Sequence, residues 1–166
     1  MSAIEITLLM KDGGPLTKRI SLAPDGSLHS DGSACIMSRG RARRIRPSSL
    51  SSFAELIRIL RSNSAIALGV LHQDLPKEVR ITTKRDLEGL SGRVPIDLIA
   101  RTGDHISYRP GQPALALIDV DTKGMPALVK SKVDAFGGFW PALVSVLPEL
   151  EVTGRVLRSS TSCSLA

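Results

Sequence analysis

Aromatic residues are the scarcest large class in this chain: three Phe, one Tyr and one Trp make up 3% of 166 residues. A single-strand nucleic-acid surface built chiefly from stacked rings needs several such side chains, so that mode of binding is excluded as the main one. Cysteine is nearly absent too. Cys35 and Cys163 lie far apart, with no CxxC and no Cys/His cluster, which argues against a disulfide framework and a structural zinc site. His29, His72 and His105 are isolated, and no Ser/His/Asp arrangement stands out to support hydrolysis by a nucleophilic triad. No apolar run approaches membrane-span length. The opening "MSAIEITLLMKDGG" has no basic region before its short apolar run and does not read as a signal peptide. The expectation is a reduced, cytoplasmic protein with no membrane partner.

Hydrophobic content of 42% and charged content of 23% are ordinary for a globular protein, and the length suits one domain with a core of its own. The charge balance is less ordinary. Lys and Arg outnumber Asp and Glu by 22 to 16, giving a formal net charge of +6, which favours polyanionic partners. Much of the excess is local. "RGRARRIR" holds Arg39, Arg41, Arg43, Arg44 and Arg46, and no acid occurs between Asp31 and Glu55. In an extended chain Arg39, Arg41 and Arg43 share a face and can track consecutive phosphates. Neighbouring glycine and proline suggest a flexible element that orders on contact. The reading competes with a solvated basic loop, and no base-reading module accompanies it.

Periodicity gives the coarse organisation. Residues 3–22 alternate loosely around "KDGG" and predict a hairpin or two short strands. "APDGSLHSDGSAC" carries two Asp-Gly turns. "SSLSSFAELIRILRSN" offers capping serines and apolar residues at helical spacing, predicting a helix over 51–61. "AIALGVL" predicts a strand, "KEVRITTKRDLEGL" is ambiguous, and "PIDLIAR" fits a strand or a helical turn. "HISYRPGQP" predicts a turn. "ALALIDV" reads as a central strand, apolar on both faces. "GMPALVKSKVDAFGGFWPALVSVLPEL" predicts a helix broken near Gly137 and Gly138, with Phe136, Phe139 and Trp140 as core residues. "TGRVLRSST" predicts a further strand. The fold class expected is α+β: a mixed sheet with a C-terminal β-α-β unit. Residues 1–50 form a β-rich basic segment and 51–166 an α/β part, or the two form one continuous domain. Because the chain stops at "SSTSCSLA" directly after a strand, it is expected to be the front part of a larger domain.

The chemistry concentrates in "ALALIDVDTKGMP". Alternate strand residues share a face, so Asp119 and Asp121 point the same way with α-carbons about 6.6 Å apart. Side chains that lean together can bridge divalent ions, which in two-metal phosphoryl-transfer sites lie about 3.5–4 Å apart. Mg²⁺ takes one or two carboxylates and lets substrate phosphates complete its shell. Lys123 and Gly124 follow in the turn, where a triphosphate would meet the amine. Arg101, Tyr108 and Arg109 precede the strand and flank the same place. Arg158, Ser159 and Ser160 reach it from the neighbouring strand if the two run parallel, since a β-α-β crossover brings both carboxyl ends to one edge. A solvated strand end remains an alternative, because "DTKG" is a good turn sequence. An EF-hand loop beginning at Asp119 fails, needing oxygen ligands where the chain has Lys123 and Lys130. A haloacid-dehalogenase-type phosphatase wants Thr or Val where the chain has Lys123. A sugar-nucleotide transferase site has no supporting feature.

The string "YRPGQPALALIDVDTKGMP", the helix containing "GGFWPAL", and "RVLRSSTS" together resemble the archaeo-eukaryotic primase superfamily, in particular bacterial primase-polymerases of plasmid and phage type. The resemblance covers residues 101–162 most strongly. It implies an RRM-like palm and template-directed nucleotidyl transfer. Asp119 and Asp121 would bind Mg²⁺ or Mn²⁺ to activate a 3′-hydroxyl and neutralise the incoming triphosphate. Lys123, Arg158, Ser159 and Ser160 would contact the nucleotide, and Arg39, Arg41, Arg43, Arg44 and Arg46 the nucleic acid. The partners implied are a DNA template, nucleoside triphosphates and a replicative helicase. The family's Ser-x-His and its third acid have no counterpart in the sequence, so the chain by itself is expected to be inactive. The second reading is a non-catalytic DNA-binding replication module that keeps the fold.

Overall fold

The computed structural model describes residues 4–90, 92, 94–115, 117 and 124–148. The chain divides into two compact units, Met1–Ala116 and Leu117–Ala166. The division does not fall near residue 50, because strands from both sides of that position join one sheet.

In the first unit the sheet has the order β5-β1-β4-β7-β8, formed by β1 (Ile6–Lys11), β4 (Gly40–Ile45), β5 (Ser64–Ala67), β7 (Glu78–Thr82) and β8 (Leu98–Ala100). β1 pairs antiparallel with both β4 and β5, and β4 antiparallel with β7. β7 and β8 are parallel, and α2 (Lys84–Glu88) in their connection packs against β8. The sheet is therefore mixed and the class α+β, as the sequence predicts. The predicted strands at 114–120 and 153–161, which would complete a C-terminal β-α-β unit, lie largely or wholly outside the described residues.

Side chains alternate across the sheet with period two, and the pairings align them. Leu9, Ala42, Val79, Ile81 and Ile99 share one face and form a core with Met37 and Leu71. Leu71 belongs to β6 (Val70–Leu71), which pairs with β9 (Ile106–Ser107) in a separate two-stranded ribbon. Leu16, Leu75 and Ile106 pack against this core. The run "AIALGVL" is thus two short strands in different sheets. The chain turns between them at Gly69, whose carbonyl accepts a 2.9 Å hydrogen bond from the hydroxyl of the buried Thr7. Gly40 is required where β4 begins. A Cβ there would overlap the Met10 carbonyl oxygen and the Met37 methyl group.

Residues 3–22 form two short strands rather than a hairpin across "KDGG", the second of the two arrangements the sequence allows. β2 (Arg19–Leu22) pairs instead with β3 (Leu28–Asp31) through the first Asp-Gly turn, where Asp25 accepts from the backbone and hydroxyl of Ser27. All six residues of β1 pair with β4 and four of them, Thr7–Met10, also pair with β5, a larger burial than one hairpin mate supplies. The helix expected over 51–61 is α1 (Leu50–Arg58), opened by a reciprocal Ser49–Ser52 capping box.

In the second unit, α3 (Ala127–Ala135) and α4 (Phe139–Val146) pack together, separated at Gly137 and Gly138, whose φ values of 78° and 126° suit glycine. Phe136 and Phe139 are exposed and Trp140 is half-buried, so the three rings do not form the expected core. No described helix is long and apolar enough to cross a membrane.

Candidate nucleic-acid interface

The arginine stretch is β4 and its flanks, held in the middle of the sheet rather than in a loop that orders on contact. A strand that alternates small apolar and long basic residues buries one set and exposes the other. Gly40 and Ala42 are buried, while Arg41 and Arg43 stand exposed on the opposite face. Arg39 precedes the strand and is also exposed.

The β4–β7 register places Arg43 opposite Glu78 and Arg41 opposite Arg80. The first is a favourable cross-strand pair: Arg43 Nε donates to Glu78 Oε2 at 2.6 Å. The second sets like charges opposite each other, which destabilises unless each is balanced. Arg80 is balanced by a bidentate pair with Asp97 at 2.9 and 3.1 Å. Arg41 reaches across to Glu78 at 3.4 Å. The face thus presents three guanidiniums to two carboxylates. The Arg43 hydrogen bond, aided by the Arg43 and Arg41 charges and opposed by partial burial, holds the Glu78 carboxyl below its usual range. Arg80 does the same for Asp97, chiefly by hydrogen bonding.

Arg44 faces the other way, with its side chain only 15% exposed. Its Nη2 donates to the carbonyls of His72 at 2.7 Å and Leu71 at 3.3 Å, bracing β4 against β6. It is withdrawn from the surface on which Arg41 and Arg43 stand.

Glu5 organises what lies around Arg44. The β1–β4 register pairs Ile6 with Ile45, and extending it by one residue sets Glu5 opposite Arg46 and diagonal to Arg44. Arg46 Nε donates to Glu5 Oε2 at 2.7 Å. Glu5 Oε1 takes a hydrogen bond from Arg109 Nη2 at 3.0 Å and lies 2.9 Å from Arg44 Nε, which is not aligned to donate to it. Arg109 Nη2 also donates to the Leu71 carbonyl at 2.9 Å. One carboxylate, only 9% exposed, therefore serves three guanidiniums. Two unit charges 4 Å apart interact by about 4 kcal/mol at an effective dielectric constant of about 20. A third guanidinium gains one such attraction and meets two repulsions, so the cluster keeps an uncompensated positive field.

Beside the cluster is a cavity of about 220 Å³ lined by Glu5, Arg46, Val70, Tyr108, Arg109 and Gln112, among others. The segment Arg109-Pro110-Gly111-Gln112 closes it as a turn, with Gln112 N–H donating to the Arg109 carbonyl at 3.2 Å. Proline in the second position and glycine at φ 70° in the third are the signature of a type II turn. The segment is therefore stiff, and it fixes the base of the Arg109 side chain.

Tyr108 and Arg109, singled out in the sequence as flanking Asp119 and Asp121, thus meet Arg46 of the basic stretch. Arg101 is exposed just beyond β8. Asp119, Asp121, Lys123, Arg158, Ser159 and Ser160 lie outside the described residues. Among the described residues no group of three or more His, Cys, Asp or Glu side chains could hold a metal ion. Glu5 escaped the sequence reading because its partner Arg109 is 104 positions away. The one local signal was an acid in phase with the buried Thr7 and Leu9 at the head of an apolar strand.

No family model, curated protein or solved structure matches this chain.

Proposed function

We propose that this chain acts on DNA as part of a metal-dependent nucleotidyltransferase of the primase-polymerase type. The observation that carries the DNA-binding half is β4, which displays Arg41 and Arg43 on one exposed face beside Arg80, with fewer carboxylates than guanidiniums to balance them. Guanidiniums that share a carboxylate on a rigid strand are positioned before contact and can exchange that partner for phosphate oxygens. The catalytic half rests on the sequence: an apolar run ending in Asp119 and Asp121, followed by Lys123, resembles the first motif of that superfamily. In this reading the two carboxylates hold Mg²⁺ or Mn²⁺. Ions held there would supply charge neutralisation for the triphosphate and activation of a 3′-hydroxyl, and Lys123, Arg158, Ser159 and Ser160 would help to bind the nucleotide.

A Mn²⁺ titration followed by electron paramagnetic resonance tests the assignment. The Asp119→Asn/Asp121→Asn variant should lose ion binding and keep most of its DNA affinity. Unchanged ion binding in that variant would remove the catalytic reading.

The second reading, a DNA-binding replication module without catalysis, is favoured by the fact that the ordered arginine apparatus lies wholly within the first unit. It predicts DNA affinity with no nucleotidyl transfer under any metal condition.

A further inference from the structure

From the Glu5 cluster and its cavity we infer that this chain carries a binding site for a single phosphoryl group on a small molecule, held by Arg46 and Arg109. The inference does not depend on nucleotidyl transfer. Three guanidiniums gather on one carboxylate, so the cluster carries more positive than negative charge in a half-buried place. An anion is the species that such a field recruits.

Donors are available for it. A guanidinium has five N–H groups in a planar fork. Arg46 uses Nε on Glu5, leaving both terminal nitrogens without a partner among the described residues. Arg109 uses Nη2 on Glu5 and the Leu71 carbonyl, leaving Nε and Nη1 likewise. Both side chains line the cavity, where Tyr108 and Gln112 add polar groups and Val70 an apolar wall. The Glu5 carboxylate orients the two forks from behind, as a carboxylate orients a ligating histidine, and the Pro110-Gly111 turn fixes the backbone of Arg109.

Size narrows the ligand. Sites for drug-sized molecules run to roughly 300–1,000 Å³. A cavity of about 220 Å³ that opens to solvent encloses a phosphoryl group and part of an attached sugar, and leaves the rest of a larger ligand outside. Phosphate suits two forks better than a carboxylate does, because it offers oxygens in more than one plane. Inorganic phosphate and the phosphate of a nucleoside monophosphate present the same chemistry.

Calorimetric titration of the 166-residue chain with inorganic phosphate, and then with a purine and a pyrimidine nucleoside monophosphate, tests this. Wild type should bind phosphate with one site. Arg46→Gln, an exposed side chain whose change leaves the core intact, should weaken binding by about tenfold or more, as loss of a hydrogen bond to a charged group implies. Arg109→Gln should do the same. Glu5→Gln leaves three guanidiniums without their carboxylate, so phosphate should raise its melting temperature more than it raises that of wild type. If Glu5→Gln does not fold, the two arginine variants decide. Equal, tighter binding of both nucleoside monophosphates than of phosphate identifies a nucleotide as the source, and no gain identifies free phosphate. Absence of phosphate binding in wild type, or binding unchanged in both arginine variants, overturns the proposal. Asp119→Asn/Asp121→Asn and Arg41→Ala/Arg43→Ala should retain phosphate binding, which separates this site from the proposed metal site and DNA face.

Discussion

Glu78 takes hydrogen bonds from Arg43 and Arg41, and so competes with any phosphate for both guanidiniums. Glu78→Gln removes that competitor's charge while keeping its shape. The DNA-binding reading predicts an increase in affinity at low salt by a factor of a few, measured by fluorescence anisotropy on a labelled duplex. A decrease would mean that Glu78 positions the arginines more than it screens them. Gly40 shows the opposite kind of dependence, on backbone space. Gly40→Ala forces a methyl group into the Met10 carbonyl and Met37, and should destabilise the chain by about 1–3 kcal/mol in urea unfolding, as overpacking does. One of these residues governs a surface charge balance and the other a close approach between strands.

β4 is the element on which these effects meet, since its two faces do different work. Arg41→Ala/Arg43→Ala should lower DNA affinity and flatten its dependence on salt, by about 0.9 log units for each duplex phosphate left unneutralised. Arg44→Ala should leave that slope nearly unchanged. Its cost falls on stability, about 3 kcal/mol, because it removes a positive charge beside the buried Glu5 carboxylate and strips two backbone carbonyls of a donor. A shift in unfolding midpoint without a change in salt slope confirms the division. The pattern "RGRARRIR" made the outward pair legible, as period two puts Arg41 and Arg43 together. It did not show that Arg44 and Arg46 would find Glu5, because the β1–β4 register that joins them is set by the hydrophobic alternation of two distant segments. The cap of α1 was legible for a simpler reason: Ser49 and Ser52 satisfy each other within one turn.

Across the molecule, several carboxylates are held in their charged form. Hydrogen bonds from Ser27 and Ser33 depress the Asp25 and Asp31 carboxyls, and those from Arg43 and Arg80 depress Glu78 and Asp97. A group whose folded pKa lies below its unfolded value contributes stability that is present above the unfolded value. That contribution is lost as pH falls through the folded one. The chain should therefore be steadily stable around neutrality and weaken as the pH falls below about 4, where unfolded carboxyls take up protons. Urea midpoints measured from pH 7 to pH 3 check this. Glu78→Gln and Asp97→Asn should each reduce the acid-side slope, and an unchanged slope in both would show that other groups dominate.

The sequence by itself determined the composition class, the breaks at the Asp-Gly and Gly-Gly pairs, the capped helix, and the exposure of alternate arginines. Each follows from forces acting within a few residues: backbone freedom at glycine, capping, and side-chain period. Only the tertiary structure decided that β1 would take β4 and β5 as partners, that "AIALGVL" would divide between two sheets, and that Arg44, Arg46 and Arg109 would converge on Glu5. Those outcomes turn on which distant apolar faces bury the most surface together, and no local pattern holds that information.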